Sequence, residues 1–260
     1  MGCRAQARAA GPRGQREGSR TMTLAERVAV RLDARLDVRL DEDLDEQGWA
    51  RIADLLAPAE CEALIALRTS EHLFRSRVVM SRHGFGRGEY QYFAYPLPEP
   101  IAALRELVYP RLVPIANRWN AAMGLAPRYP SEHAEFVARC HAAGQRRPTP
   151  LLLEYGEGDY NRLHQDLYGE HVFPLQVAIL LSEPERDFTG GEFVLTEQRP
   201  RMQSKASVVP LRQGDAVIFA VHQRPVRGTR GVFRVNHRHG VSPLRSGRRR
   251  TLGVIFHDAT

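Results

Sequence analysis

Short apolar runs separated by turn residues fill the last hundred or so positions of the chain. The runs are Leu151–Tyr155, Leu163–Asp166, Leu175–Leu181, Glu192–Leu195, Ser207–Val209, Ala216–Ala220, Val232–Val235 and Thr251–Phe256. Strands are this short and helices are usually longer, so the pattern predicts eight strands. Eight short strands with turn signals between them indicate a double-sheet β-sandwich or jelly roll.

The pattern before residue 150 is mainly helical. The predicted helices are residues 24–47, a helix opening at Pro58, Glu99–Met123 and Ser131–Ala143. Pro58 suits a first helical turn, because the N–H that proline lacks would have no partner there. Pro110 and Pro114 predict an interruption or kink in the long helix. Ser131 is a good N-cap for the last helix, and Gly144 suits its C-terminal cap.

Two extended elements interrupt these helices. Gly48–Ile52 predicts a short first strand, and residues 74–95 predict a hairpin with a glycine-rich turn at 83–88. The hairpin is either a mobile flap over a pocket or an inert surface element.

The predicted fold class is therefore α+β, a jelly-roll core with the N-terminal helices packed on one face. The core takes residues 150–260, and residues 22–149 are expected to belong to the same domain. Residues 1–21 consist mostly of Gly, Ala, Arg and Gln, so they are expected to be a disordered basic tail or an upstream extension.

The net charge of +7 is unevenly distributed. Residues 1–21 carry five Arg and one Glu, and residues 224–250 carry nine Arg and no acid, so the remaining residues sum to −6. The band at 224–250 is either a set of solvated surface loops or an electropositive rim for an anionic substrate.

Neither a membrane span nor a secretory signal is expected, because no apolar run approaches the required length. The three cysteines, Cys3, Cys61 and Cys140, are odd in number and scattered. This arrangement favours a reducing cytoplasm over a disulfide framework.

The strongest chemical signal is the pair His164 and Asp166. Residues two apart on an extended segment project from the same face, so an imidazole and a carboxylate leave together. A second histidine would complete the two-histidine, one-carboxylate set that holds non-haem Fe(II) and leaves positions open. We favour His239, because Gly-Val-Ser-Pro follows it and Arg249 comes ten residues later; His237 is the rival on the same strand face.

The order of further motifs adds specificity. After His164 and Asp166 come the Gly190–Phe193 turn, the Gly214–Phe219 turn and strand, His239–Pro243, and Gly247–Leu252. In this order the chain resembles the Fe(II)/2-oxoglutarate-dependent dioxygenases of the prolyl-hydroxylase-like superfamily. The resemblance covers roughly residues 151–258 and is greatest to a bacterial group proposed to act on nucleic acid.

That resemblance implies a double-stranded β-helix core with Fe(II), 2-oxoglutarate and O2 as cofactor and co-substrates, and ascorbate as a candidate reductant. It assigns the metal to His164, Asp166 and His239. Arg249 would bind the far carboxylate of 2-oxoglutarate, because arginine binds carboxylates bidentately; a register shift would give Arg250 instead. Tyr155 either touches 2-oxoglutarate or is a core tyrosine.

Other residues near these motifs receive lesser roles. Arg248 and Arg250 alternate to the opposite face from Arg249, where they would meet solvent or substrate. His222 is expected at the pocket rim or on the surface.

The implied reaction is oxidative decarboxylation of 2-oxoglutarate to succinate, coupled to hydroxylation of a substrate. The favoured substrate is alkylated nucleic acid, attracted by the arginines of 224–250 and demethylated oxidatively. The alternative within the class is a protein or peptide hydroxylase acting on proline, because one fold serves both substrates. Outside the class, the alternatives are a non-enzymatic cupin-like metal-binding module and a purely structural jelly roll.

Overall fold

The structure is a computed structural model that describes residues 22–35, 38–126, 128–229 and 231–260. The expectations for residues 1–21 lie outside this part. The helices it contains are α1 Leu24–Arg35, α2 Val38–Gln47, α3 Pro58–Ala66, α4 Glu99–Ala122 and α5 His133–Ala142. The first strands are β1 Trp49–Ile52, β2 Phe74–Val79, β3 Gly86–Arg87, β4 Glu89–Phe93, β5 Leu151–Tyr155, β6 Tyr160–His164 and β7 Leu175–Leu180. The later strands are β8 Phe188–Gly190, β9 Phe193–Gln198, β10 Lys205–Val209, β11 Ala216–Ala220, β12 Gln223–Gly228, β13 Gly231–Val241, β14 Leu244–Gly247 and β15 Arg249–Val254.

The strands form two antiparallel sheets that face each other. Within the described residues, the larger sheet orders seven strands as β1-β11-β7-β15-β5-β4-β2. The smaller sheet runs β10-β9-β13-β6-β3, with β12 also paired to β13, and β14 pairs with β8 beside them. Side chains of both sheets, Phe219 and Leu180 from one and Leu195 and Val241 from the other, share one buried cluster. The predicted jelly roll is therefore confirmed.

The helices cover the outer face of the larger sheet. Strand β7 shows why: Leu175, Val177 and Ile179 pack with the helical residues, while Ala178 and Leu180 point into the space between the sheets. A strand with apolar residues on both faces is typical of a sheet buried on both sides. The predicted placement of the N-terminal helices on one face is thus confirmed.

The local predictions about the helices had mixed outcomes. The helical prediction for residues 24–47 is confirmed by α1 and α2, which lie on either side of residues 36–37, outside the described part. The predicted interruption of α4 was wrong, because the helix is continuous through Pro110 and Pro114, and the alternative of a kink there stays a prediction. Helix α5 has Glu132 rather than Ser131 as its N-cap. Gly144 does follow the helix with a φ of +83°, a conformation that glycine adopts without a steric penalty.

The predicted strands are all present, most of them with changed bounds. The change that matters for the site concerns β6, which ends at His164, so Asp166 lies in the loop after the strand and not on it. The short strands β8, β12 and β14 carry few apolar residues, and the apolar pattern missed them.

The hairpin at 74–95 contributes to both sheets. Strand β4 pairs with β5 in the larger sheet, and the short β3 pairs with β6 in the smaller one. Gly84 and Phe85, in the turn between β2 and β3, line the central pocket. Part of the hairpin thus lies against the pocket, and the choice between a mobile flap and an inert element stays a prediction.

Candidate active site

A pocket opens between the two sheets, and its wall is mostly apolar. Strands β5, β7 and β15 supply one side, and β6 and β13 supply the other. All five predicted site residues line this pocket: Tyr155, His164, Asp166, His239 and Arg249. The fold therefore brings together segments that are up to 94 residues apart in the chain, from Tyr155 to Arg249.

His164, Asp166 and His239 form one compact group. Ligand atoms of the three side chains all lie within 4.8 Å of one another. The Nε2 atom of His164 is 3.6 Å from one Asp166 carboxylate oxygen, and the Nε2 atom of His239 is 3.4 Å from the other. The cross-strand pairing of His239 with His164 produces this geometry, because directly opposed residues carry their side chains on the same face.

The hydrogen bonds of the group leave ligand atoms available. Nδ1 of His164 donates to the backbone carbonyl of Arg162 at 2.7 Å, so Nε2 carries the lone pair that faces the group. Burial lowers the pKa of His164, which favours the neutral imidazole that binds metal. Burial alone would raise the pKa of Asp166, but the hydrogen bond and charge of His239 lower it overall, which favours the carboxylate. These donors fit Fe(II).

Arg249 lies in the same pocket, almost inaccessible to solvent. Its Nη1 donates to the Thr251 hydroxyl at 2.6 Å, and its guanidinium carbon lies 5.7 Å from the centre of the Tyr155 ring. Within the described residues it forms no ion pair with a carboxylate. Burial lowers its pKa to about 10, so it remains charged near neutral pH. A buried, unpaired guanidinium is costly unless an anion from outside the chain pairs with it.

The neighbours of Arg249 hold it in place. Tyr155 lies directly opposite it on β5 and is fully buried. Gly191, at a φ of +63°, has the Arg249 side chain 3.1 Å and the Leu244 side chain 2.5 Å from the point where a Cβ would stand. Glycine is therefore required at position 191 for two reasons: a side chain would collide with Arg249 and Leu244, and other residues rarely adopt this backbone conformation.

A hydrogen-bonded pair of tyrosines supports Asp166. The Tyr168 hydroxyl donates to an Asp166 carboxylate oxygen at 2.5 Å, and the Tyr92 hydroxyl donates to that of Tyr168 at 3.1 Å. Such partners orient the ligands of a metal. The sequence analysis missed both tyrosines, although Tyr168 lies only two residues beyond Asp166.

The rival residues occupy other positions. His237 is buried on the same face of β13 as His239, but its Nε2 accepts a hydrogen bond from Arg224 Nε at 2.9 Å, and it lies outside the group of three. His222 is half-buried and is not among the residues that line the pocket. Arg250 donates to Glu154 at 2.6 Å on the opposite face of β15 from Arg249.

The predicted basic band at 224–250 is only partly exposed. Arg224 is buried and donates to the backbone carbonyls of Asp45 and Glu46 at the end of α2. Arg224 and Arg249 are therefore both unavailable to a partner on the surface. The prediction that all arginines of 224–250 lie in solvated loops or on a rim was wrong for these two. The exposed arginines of the band in the described residues are Arg227, Arg234, Arg238, Arg245 and Arg248.

A jelly roll with a His–Asp–His group in its pocket defines the class of Fe(II)- and 2-oxoglutarate-dependent oxygenases, which are oxidoreductases that use Fe(II), 2-oxoglutarate and O2. The chain belongs to the Oxygenase-NA family, whose model matches residues 88–259 and is described as "Oxygenase, catalysing oxidative methylation of damaged DNA". The predicted enzyme class is confirmed.

The chain is also similar to other proteins in sequence and in structure. Uncharacterized proteins from two strains of Mycobacterium tuberculosis are each 52% identical over 167 residues, 64% of this chain and 72% of theirs. A Trichoplax adhaerens prolyl hydroxylase, solved with a hypoxia inducible factor peptide fragment, matches with a TM-score of 0.50 at 14% identity, covering 89% of this chain and 91% of that one. A prolyl 4-hydroxylase structure from Phytophthora capsici also gives 0.50, at 16% identity over 90% of this chain and 66% of that one. These structures share the fold.

None of the helices in the described ranges is both long enough and apolar enough to cross a membrane.

Proposed function

We propose that this protein demethylates alkylated nucleic acid by oxidation, using Fe(II), 2-oxoglutarate and O2. The observation that carries the proposal is the convergence of His164, Asp166 and His239 in one pocket with Arg249. The family description, which names damaged DNA, supports the choice of substrate.

Each residue of the pocket has a distinct task. His164, Asp166 and His239 hold the metal through two neutral imidazole nitrogens and one carboxylate oxygen. Arg249 binds the far carboxylate of 2-oxoglutarate through charge-assisted hydrogen bonds, and Thr251 orients its guanidinium. When bound, Fe(II) supplies the coupled oxidation that converts 2-oxoglutarate and O2 to succinate and CO2 while one oxygen atom enters a substrate C–H bond.

The fate of the substrate follows from ordinary chemistry. An N-methyl group hydroxylated on its carbon is a hemiaminal, which releases formaldehyde. A neutral base such as N3-methylthymine is left with N–H on the ring, whereas a cationic base such as N3-methylcytosine or N1-methyladenine also loses a proton and is left with a bare ring nitrogen. The net change therefore removes a methyl group from the base. The mostly apolar wall of the pocket lowers the local polarity, which strengthens the electrostatic interactions inside it.

Surface charge supports a nucleic-acid substrate. Arg162 is exposed and lines the pocket. Cations near an opening attract phosphates without requiring a particular base sequence. Phe85 is also exposed at the pocket, where an aromatic ring offers a surface on which a base can stack.

Hydroxylation of proline in a protein or peptide is the second candidate, favoured by the shared fold of the two prolyl hydroxylases. We further propose that the protein works in a reducing compartment, the cytoplasm. In the described residues Cys61 and Cys140 are free and buried.

A succinate-release screen tests the proposal. Wild-type protein with Fe(II) and 2-oxoglutarate is offered methylated single-stranded DNA, methylated RNA and proline-containing peptides. We expect succinate and formaldehyde in equal amounts with a methylated oligonucleotide, and neither product from His164→Ala or Asp166→Ala proteins that retain the wild-type circular dichroism spectrum. Stimulation by peptide and not by oligonucleotide would replace this substrate with the second candidate.

A further inference from the structure

Gln176 is the one polar residue of strand β7, whose six residues are all buried. Ala178 and Leu180, two and four positions further along the strand, point into the space between the sheets. Side chains alternate between the two faces of a strand, so the Gln176 side chain points into the same space. Gln176 accordingly lines the pocket, with only 4% of its surface exposed.

The amide oxygen of Gln176, Oε1, is buried and accepts no hydrogen bond within the described residues. Leaving such an acceptor unpaired costs about 1–3 kcal/mol. Natural proteins keep few groups of this kind, and a binding role is one of the reasons for which they are kept. A bound molecule that donates a hydrogen bond in the pocket would remove the penalty.

Strand register separates Gln176 from the co-substrate end of the pocket. Thr251 pairs with Leu180, so Gln176 lies six positions beyond the level of Arg249, or about 20 Å along the strands. A carboxylate held by Arg249 is thus at the other end of the pocket from this amide. 2-Oxoglutarate carries only acceptor oxygens and cannot donate a hydrogen bond to Gln176 Oε1, so the partner of this oxygen is a different molecule.

Gln176 lies instead near the metal-binding group. It pairs directly with Phe219 on β11, and the Phe219 ring lies 4.7 Å from the His239 ring, centre to centre. A substrate with its reacting methyl group at the metal therefore places the atoms next to that methyl within the neighbourhood of Gln176.

We propose that Gln176 recognises the substrate by accepting a hydrogen bond from an exocyclic amino group beside the methylated ring nitrogen; this inference rests on the proposed function. Cytosine methylated at N3 and adenine methylated at N1 both carry an amino group on the adjacent carbon. Thymine methylated at N3 carries a carbonyl oxygen there, which offers Oε1 nothing to accept. An apolar pocket with one such acceptor discriminates strongly, because the wrong base leaves the acceptor unpaired.

Gln176→Leu removes the acceptor and tests the inference. We expect the KM for an oligonucleotide with one N3-methylcytosine to rise about 10- to 100-fold, the penalty of a lost hydrogen bond in a closed site. The KM for an N3-methylthymine oligonucleotide and the KM for 2-oxoglutarate should stay unchanged. Fluorescence anisotropy with the Mn(II)-loaded protein and N-oxalylglycine, which do not turn over, should show the same loss of binding.

Gln91→Leu is the matched control. Gln91 is also a buried glutamine with an unpaired Oε1, but it points away from the pocket on β4 and should leave both oligonucleotides unaffected. If Gln176→Leu does not fold, Gln176→Met removes the same acceptor with an unbranched side chain of similar length.

Two results would overturn the inference, and they differ. In the first, the wild-type protein demethylates oligonucleotides, but the Gln176 variants lose affinity for both methylated bases equally or for neither. This result would exclude recognition by Gln176 and leave the proposed function standing. Wild-type protein that turns over 2-oxoglutarate but binds no methylated oligonucleotide would exclude the proposed function and this inference with it.

Discussion

Replacing Arg249 by methionine should stabilise the protein while it abolishes binding of 2-oxoglutarate. The arginine is buried without an anionic partner in the described residues, and burial lowers its pKa from 12.5 to about 10. That shift corresponds to about 3 kcal/mol of unfavourable free energy for the charged form. The hydrogen bond to Thr251 offsets about 1 kcal/mol, so Arg249→Met should gain about 2 kcal/mol.

Thermal unfolding without 2-oxoglutarate measures this gain. For a chain of this size, about 2 kcal/mol raises the melting temperature by roughly 4–8 °C. The same variant should bind 2-oxoglutarate at least roughly 100-fold more weakly in a calorimetric titration with Mn(II), because the carboxylate loses its charged partner. The two effects have opposite signs, as expected of a residue kept for binding at the expense of stability.

Arg250→Met provides the comparison. Arg250 pairs with Glu154 near the surface, so its loss should lower stability by about 1 kcal/mol or less and leave 2-oxoglutarate binding intact. Our reasoning is refuted if Arg249→Met melts below the wild-type protein, or if it binds 2-oxoglutarate with wild-type affinity.

Three further changes have defined outcomes. Tyr168→Phe removes the hydrogen bond to Asp166 and should weaken Mn(II) binding about 10- to 100-fold by titration; an unchanged affinity would exclude a positioning role. Gly191→Ala places a methyl group against Leu244 at a positive φ, so it should lower the melting temperature and raise the KM for 2-oxoglutarate, whereas wild-type values for both would contradict the packing argument. Burial lowers the pKa of His133 to about 4, so between pH 6.5 and 4 the unfolded chain takes up a proton that the folded protein does not. His133 should therefore contribute up to about 3 kcal/mol to the fall in the free energy of unfolding across that window, beside the contributions of His237 and His257, whose pKa values burial also lowers to about 4. In urea titrations a His133→Gln protein should show a shallower fall than the wild type, and an equally steep fall would exclude a contribution from His133.

The local sequence pattern was sufficient to predict most of the strands and to select the candidate metal ligands. The apolar runs predicted Leu151–Tyr155 and Ala216–Ala220 with their observed bounds, because a buried strand leaves a continuous apolar signature. The spacing of His164 and Asp166 indicated a shared direction, and the two side chains do meet, although Asp166 lies just beyond the strand.

Residues of the same type that lie close together in the sequence have different environments in the structure. His237 and His239 share one face of β13, yet His237 meets Arg224 while His239 meets Asp166, because different strands lie opposite each of them. Residues 248 to 250 are three consecutive arginines, and their residue type alone does not distinguish one from another. The pleat of β15 buries Arg249 in the pocket and turns Arg250 to Glu154.

Gln176 marks the limit of the sequence pattern. It interrupts an apolar run, and that interruption was the available signal, but its meaning depends on which face the strand buries and what lies opposite. The sequence by itself determined the jelly roll, its helical cover and the residue types of the candidate metal site, since these follow from periodicity and spacing along one segment. Only the tertiary structure decided which histidine joins the group, which arginine is buried and which amide is left unpaired, because those outcomes depend on contacts between strands far apart in the chain.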